Sequence, residues 1–167
     1  MSDAASEGDF AADMAALAAS IRRGEAENRA KAKDFAARRS ECALRAGARQ
    51  QRFMLWCAHE LNSAVRQADA ALAPAGYRLT QTTMRPPNCR GLDESRNWIV
   101  GQTELALTRD LMNRRLTITL RMDGVVRASG DGKESKAYPE CEAEKLNKAY
   151  AEELGRQLID DTTPQRS

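Results

Sequence analysis

The sequence predicts an α+β protein: an antiparallel meander of about four strands, covered on one face by helices, with a long N-terminal helical arm. Three observations predict it. Two runs between Arg96 and Gly130 alternate apolar and polar residues in period two, as strands with one buried face do. From Phe10 to Leu72 the chain holds no proline and is rich in Ala, Arg, Glu and Gln, all compatible with helix. Near the other end, Leu146, Tyr150, Leu154 and Leu158 recur every four residues, a stripe able to dock on a sheet.

The strands come first because everything else must cover them. In one long run Ile99, Thr103, Leu105 and Leu107 fall on one side, while Trp98, Val100, Gln102, Glu104 and Ala106 fall on the other. In the next, Leu116, Ile118, Leu120 and Met122 oppose Arg115, Thr117, Thr119 and Arg121. Asp123-Gly124 then signals a hairpin, since glycine tolerates positive φ, and Val126 and Ala128 continue the apolar side. Tyr77–Met84 alternates likewise, with Tyr77 and Leu79 inward, and reads as a first strand. Arg85–Asn97 reads as a loop, because Pro86-Pro87 cannot donate to a ladder and Gly91 and Asp93 favour turns. A sheet with one bare apolar face is marginal alone, so it needs a lid.

The predicted lid is a helix over Arg49–Ala73. Phe53, Trp56, Cys57, Leu61, Ala64, Val65, Ala68 and Leu72 share a broad stripe on it, and Pro74-Ala75-Gly76 stops it. A second cover is predicted over Pro139–Asp160, with Pro139 in its first turn and Glu140, Glu142 and Glu144 complementing the helix dipole. Gly130–Ala137 reads as a flexible connector.

The expected organisation is a disordered lead over residues 1–9, the arm over 10–46, the α+β domain over 47–161 and a tail over 162–167. Gly24 and Gly47 are the arm's weak points, where the helix bends or breaks. Within it Met14, Ile21, Phe35 and Cys42 stand in one column of seven-residue spacing that also holds Asn28. Ala18, Ala32 and Ala46 fill a neighbouring column, interrupted by Glu25 and Arg39. This is a broken heptad pattern, and a buried Asn in such a column can fix register. Lys31, Arg38, Arg45 and Arg52 form a parallel basic column. It is either a solvated face beside the packing stripe or a clamp for an acidic partner helix or a phosphate backbone.

Composition narrows the function classes. The net charge is only +2, but it is unevenly spread. Residues 1–13 carry four acids and no base, and residues 22–52 carry ten Lys/Arg against four acids. Residues 77–129 carry nine Arg against five acids, and residues 131–167 nine acids against six bases. Such local fields say more about partners than the pI does. Cys42, Cys57, Cys89 and Cys141 show no zinc-ligand spacing, and there is a single histidine. The start lacks the basic and apolar regions of a signal peptide, and no apolar run approaches the roughly 20 residues that span a bilayer. A cytoplasmic protein with reduced thiols is expected, without membrane, metal or cofactor.

No catalytic constellation is recognisable. His59 lies mid-helix, and Cys57, two residues away, points to another side, so the pair cannot act together. Gly130-Asp131-Gly132-Lys133 lacks phosphate-loop spacing and reads as a turn. Asp93/Glu94 and Asp160/Asp161 are adjacent pairs that diverge rather than chelate. The polar face of the sheet is more informative: Arg78, Arg115, Arg121 and Arg127 project there among threonines, with Trp98 and one acid, Glu104. That is either an ordinary solvated face or an electropositive platform for phosphates.

The order helix, meander, helix resembles that of small bacterial dimeric DNA-binding proteins and of secretion chaperones, an analogy of architecture alone. Two functions are therefore carried forward. The first is a non-catalytic, adaptor- or chaperone-like interaction protein that forms a homodimer and grips a protein partner through Met14, Ile21, Phe35 and Cys42. The alternative is a nucleic-acid-binding module using the basic column and the sheet arginines.

Overall fold

The computed structural model describes residues 4–92, 97–131 and 138–161, with side chains from residue 8 onward. The expectations for Asp93 and Glu94, for Lys133 and the connector, and for the tail lie outside the described residues. The chain divides into two compact units, residues 1–41 and residues 42–167, which are taken separately below.

The helix α1 spans Ala4–Trp56, continues through a π turn at Cys57–Leu61, and resumes as α2 over Asn62–Leu72. Residues 4–9, expected to be disordered, are helical, and neither Gly24 nor Gly47 ends the helix. Strong helix formers on either side, Arg23 and Glu25 at the first and Ala46 and Ala48 at the second, explain this, since one glycine costs only ~1 kcal/mol relative to alanine in a helix. Five strands follow: β1 (Arg78–Thr83), β2 (Ile99–Arg109), β3 (Met112–Arg121), β4 (Val125–Gly130) and β5 (Cys141–Glu142). They form one antiparallel sheet in sequence order, a meander as predicted, with one strand more than expected.

The alternation read from the sequence holds over most of the sheet. Leu79, Thr103, Leu105, Leu107, Leu116, Ile118, Leu120, Met122 and Val126 are buried. Phe53, Trp56, Cys57, Leu61 and Val65 complete the core from the helical side, the stripe foreseen for the lid. Tight turns join the strands. Asp110 takes a positive φ of 51° between β2 and β3, and Gly124 one of 85° between β3 and β4.

The alternation fails at one place. Val100 is fully buried and Ile99 is half exposed, the reverse of the prediction. The cause is a β-bulge: Ile99 pairs with Arg121 and Gly101 with Leu120, so one extra residue intrudes and the faces exchange.

The last helix also starts later than predicted. α3 spans Lys148–Asp160, capped by Asn147, whose side chain accepts from the Tyr150 amide at 2.9 Å. Cys141 and Glu142 instead pair with Val126 and Val125, and Ala143–Lys145 form a single 3-10 turn. The amide of Ala143 donates to Gly124 O at 2.7 Å, which holds this stretch along β4. Pro139 and three nearby glutamates suit a helix start, but the ladder is the stronger claim on these residues. Of the predicted docking stripe, Leu154 and Leu158 are buried on α3, Tyr150 is partly buried on it, and Leu146 is buried just before the helix begins.

Candidate interaction surfaces

In residues 1–41 the helix buries no large apolar side chain among the described residues. Phe10 is 67% exposed, Met14 44%, Leu17 52%, Ile21 54% and Phe35 58%. The steps from Phe10 to Met14, Leu17 and Ile21 are four, three and four residues, which places all four on one face of α1. The Arg39 guanidinium lies over the Phe35 ring, 5.7 Å from its centroid, so Phe35 is partly covered by its own helix. Ion pairs brace this unit: Glu25 with Arg29 at 3.9 Å and Asp34 with Arg38 at 3.0 Å, each acid one turn before its base.

Phe10 and Leu17 are the residues sequence reasoning passed over. They occupy the same heptad column as the basic residues Lys31, Arg38, Arg45 and Arg52, with Gly24 between. A search for strict seven-residue repeats separates this column from the one holding Met14 and Ile21. The alternating four-three spacing joins them, and it shows a seam that is apolar from Phe10 to Ile21 and basic beyond Gly24.

The other arm residues behave differently. Cys42, foreseen as a partner contact, is only 4% exposed and sits with Ala46 in the core of the second unit. It is a packing residue; the compact domain begins there rather than at residue 47. Lys31, Arg38 and Arg45 are exposed. Arg52 is committed to structure, its guanidinium donating to Ala143 O at 2.8 Å and Glu144 O at 2.6 Å.

Each arginine expected on the outer face of the sheet meets a carboxylate. Arg78 lies 3.7 Å from Asp69, Arg115 3.7 Å from Glu104, Arg121 3.8 Å from Asp123 and Arg127 2.7 Å from Glu140. The sequence shows only Glu104 on that face; the other acids arrive from α2, the β3–β4 turn and the stretch before β5. Their charges offset the field of the arginines. Trp98 is 40% exposed at the sheet's end, with the bulge residue Ile99 beside it.

His59 is exposed on the π turn, while Cys57 is buried, and burial pushes its thiol up to about 12. A thiol so protonated is a poor nucleophile. Burial also raises Cys89 and Cys141. Among the described residues no three His, Cys, Asp or Glu side chains are grouped to hold a metal ion, and no helix is long and apolar enough to cross a membrane.

No protein-family profile, curated protein or solved structure matches this chain.

Proposed function

We propose that this chain is a non-catalytic, adaptor- or chaperone-like interaction protein that pairs with a second copy through the apolar seam of α1. One observation carries the reading: Phe10, Met14, Leu17 and Ile21 lie exposed on one helical face, at the spacing of a coiled-coil seam. A second copy is the simplest occupant, because the seam is complementary to itself and too short to need a longer groove. The seam is only two heptads long, so the pair is weak and concentration-dependent. A protein partner gripped by the same face competes with the second copy for it. The paired sheet arginines favour this reading over nucleic-acid binding.

Sedimentation velocity on the full-length protein, from tens to hundreds of micromolar, tests the proposal. A monomer–dimer equilibrium is expected, lost in Ile21→Asp. A wild-type monomer throughout that range rejects it. Fluorescence anisotropy with duplex and single-stranded DNA at two salt concentrations tests the alternative. Binding that weakens steeply with salt would revive it.

A further inference from the structure

We infer that the two copies pair antiparallel, with the two-fold axis crossing α1 between Ala15 and Ala16. This rests on the proposed self-association and adds its geometry. The apolar steps of four, three and four residues read the same in either direction along the helix. Two copies run in opposite senses therefore set Phe10 against Ile21 and Met14 against Leu17, so every exposed apolar side chain of the seam finds an apolar partner.

Charge decides between this and the parallel alternative. A parallel pair in register sets Lys31 against Lys31 and Arg38 against Arg38 in the continuation of the seam. It also runs residues 8–13, with two acids and no base, alongside themselves. Like charges held side by side oppose association. The antiparallel pair separates the two Lys31 residues by ~46 Å along the axis, from a rise of about 1.5 Å per residue. It sets this acidic stretch beside residues 18–23, which hold two arginines and no acid.

Single-cysteine exchange tests the orientation. Phe10→Cys and Ile21→Cys are made separately in full-length protein carrying Cys89→Ser and Cys141→Ser, which removes the two partly exposed native thiols. After mixing and mild oxidation, intact mass is expected to show a disulfide joining one F10C chain to one I21C chain, with neither variant linked to itself. Self-linked I21C or F10C dimers overturn the antiparallel arrangement and leave self-association standing. A monomeric wild type in sedimentation overturns both. Should the cysteine exchanges weaken the pair below detection, added charge decides. Ala11→Lys with Ala18→Glu keeps the apolar side chains of the seam and sets opposite charges side by side on one flank of the antiparallel pair alone. The double variant is expected to lower the dissociation constant several-fold, and no gain over wild type overturns the orientation.

Discussion

A Cβ placed on Gly101 would lie 2.7 Å from Cδ1 of Phe53, closer than side chains pack, so the ring occupies the space that any other residue would need. Phe53 is fully buried, and Gly101 sits at the bulge where β2 changes face. Ring and bulge therefore fix one another: the missing side chain admits the helix, and the helix holds the strand in its shifted register. Gly101→Ala is expected to destabilise the domain by ~1–3 kcal/mol through overpacking. Phe53→Ala costs about 3–5 kcal/mol through the cavity it leaves. Urea unfolding of both single variants and of the double variant checks the coupling. The alanine at position 101 should cost much less once the ring is gone, and strictly additive losses would contradict the contact.

The sequence made the core of this sheet readable, but not the bulge. Leu105, Leu107, Leu116, Ile118 and Leu120 keep strict period two, and so do their burials. A bulge adds one residue without leaving a mark in hydrophobicity, because Ile99 and Val100 are equally apolar; only Gly101 hinted at it. The lid stripe from Phe53 to Val65 was readable because it combines bulky residues with helical spacing. The start of α3 was not, because a proline followed by glutamates looks the same at a helix start and in an extended segment. Asn147 held the true signal, an N-cap directly before the helix. On the arm, the column of Met14 and Ile21 was visible and that of Phe10 and Leu17 was not. The latter column turns basic after Gly24, and its charge masks the two apolar residues that precede it. How the sheet arginines are balanced depends on acids from three other segments, which no local pattern joins to them.

Asn147 serves two elements at once. Its side chain caps α3, and its carbonyl accepts the indole N–H of Trp56 at 2.9 Å. Asn147→Ala keeps the carbonyl and loses the cap, which predicts a loss of ~1 kcal/mol. Trp56→Phe keeps a ring in the aromatic cluster with Phe53 and Tyr150, at 5.9 and 5.8 Å, but removes the donor and part of the packing. Its expected cost is larger, ~2–4 kcal/mol, from the lost hydrogen bond together with the cavity. Chemical denaturation ranks the two, and a Trp56→Phe variant no less stable than Asn147→Ala would show that the indole contact adds little.

Cys42 and Ile21 stand in one heptad column but should respond oppositely to the same substitution. Ile21→Asp places a carboxylate on an exposed face, so domain stability should stay within about 0.5 kcal/mol while self-association is lost. Cys42→Asp places a charge in a core position and should cost several kcal/mol, on the order of 3 or more. Thermal unfolding followed in the near-ultraviolet separates them, because that signal reports the aromatic packing of the domain. Equal losses from both variants would mean that Ile21 belongs to a core rather than to a surface.

Arg49 joins the lid helix to the turn after β3. Its guanidinium donates to Met122 O at 3.0 Å and to Glu144 Oε1 at 3.0 Å, and a Cβ on Gly124 would stand 2.8 Å from its Cζ. The hydrogen bond from Arg49 holds the Glu144 carboxyl below its ordinary value of 4.5. A folded-state pKa lowered in this way contributes stability that is fully present above the unfolded value. That stability is lost as pH falls through the folded one. Wild type should therefore exceed Glu144→Gln in stability by a constant margin at neutral pH. The margin should begin to shrink as pH approaches 4.5 and vanish once the folded carboxyl is protonated. Because Glu144 is largely exposed, the margin should also narrow with added salt. Urea unfolding of both proteins between neutral and strongly acidic pH measures it. A margin unchanged by pH would mean that the ionised form of Glu144 contributes nothing to the fold, and that Arg49 acts through the Met122 carbonyl alone.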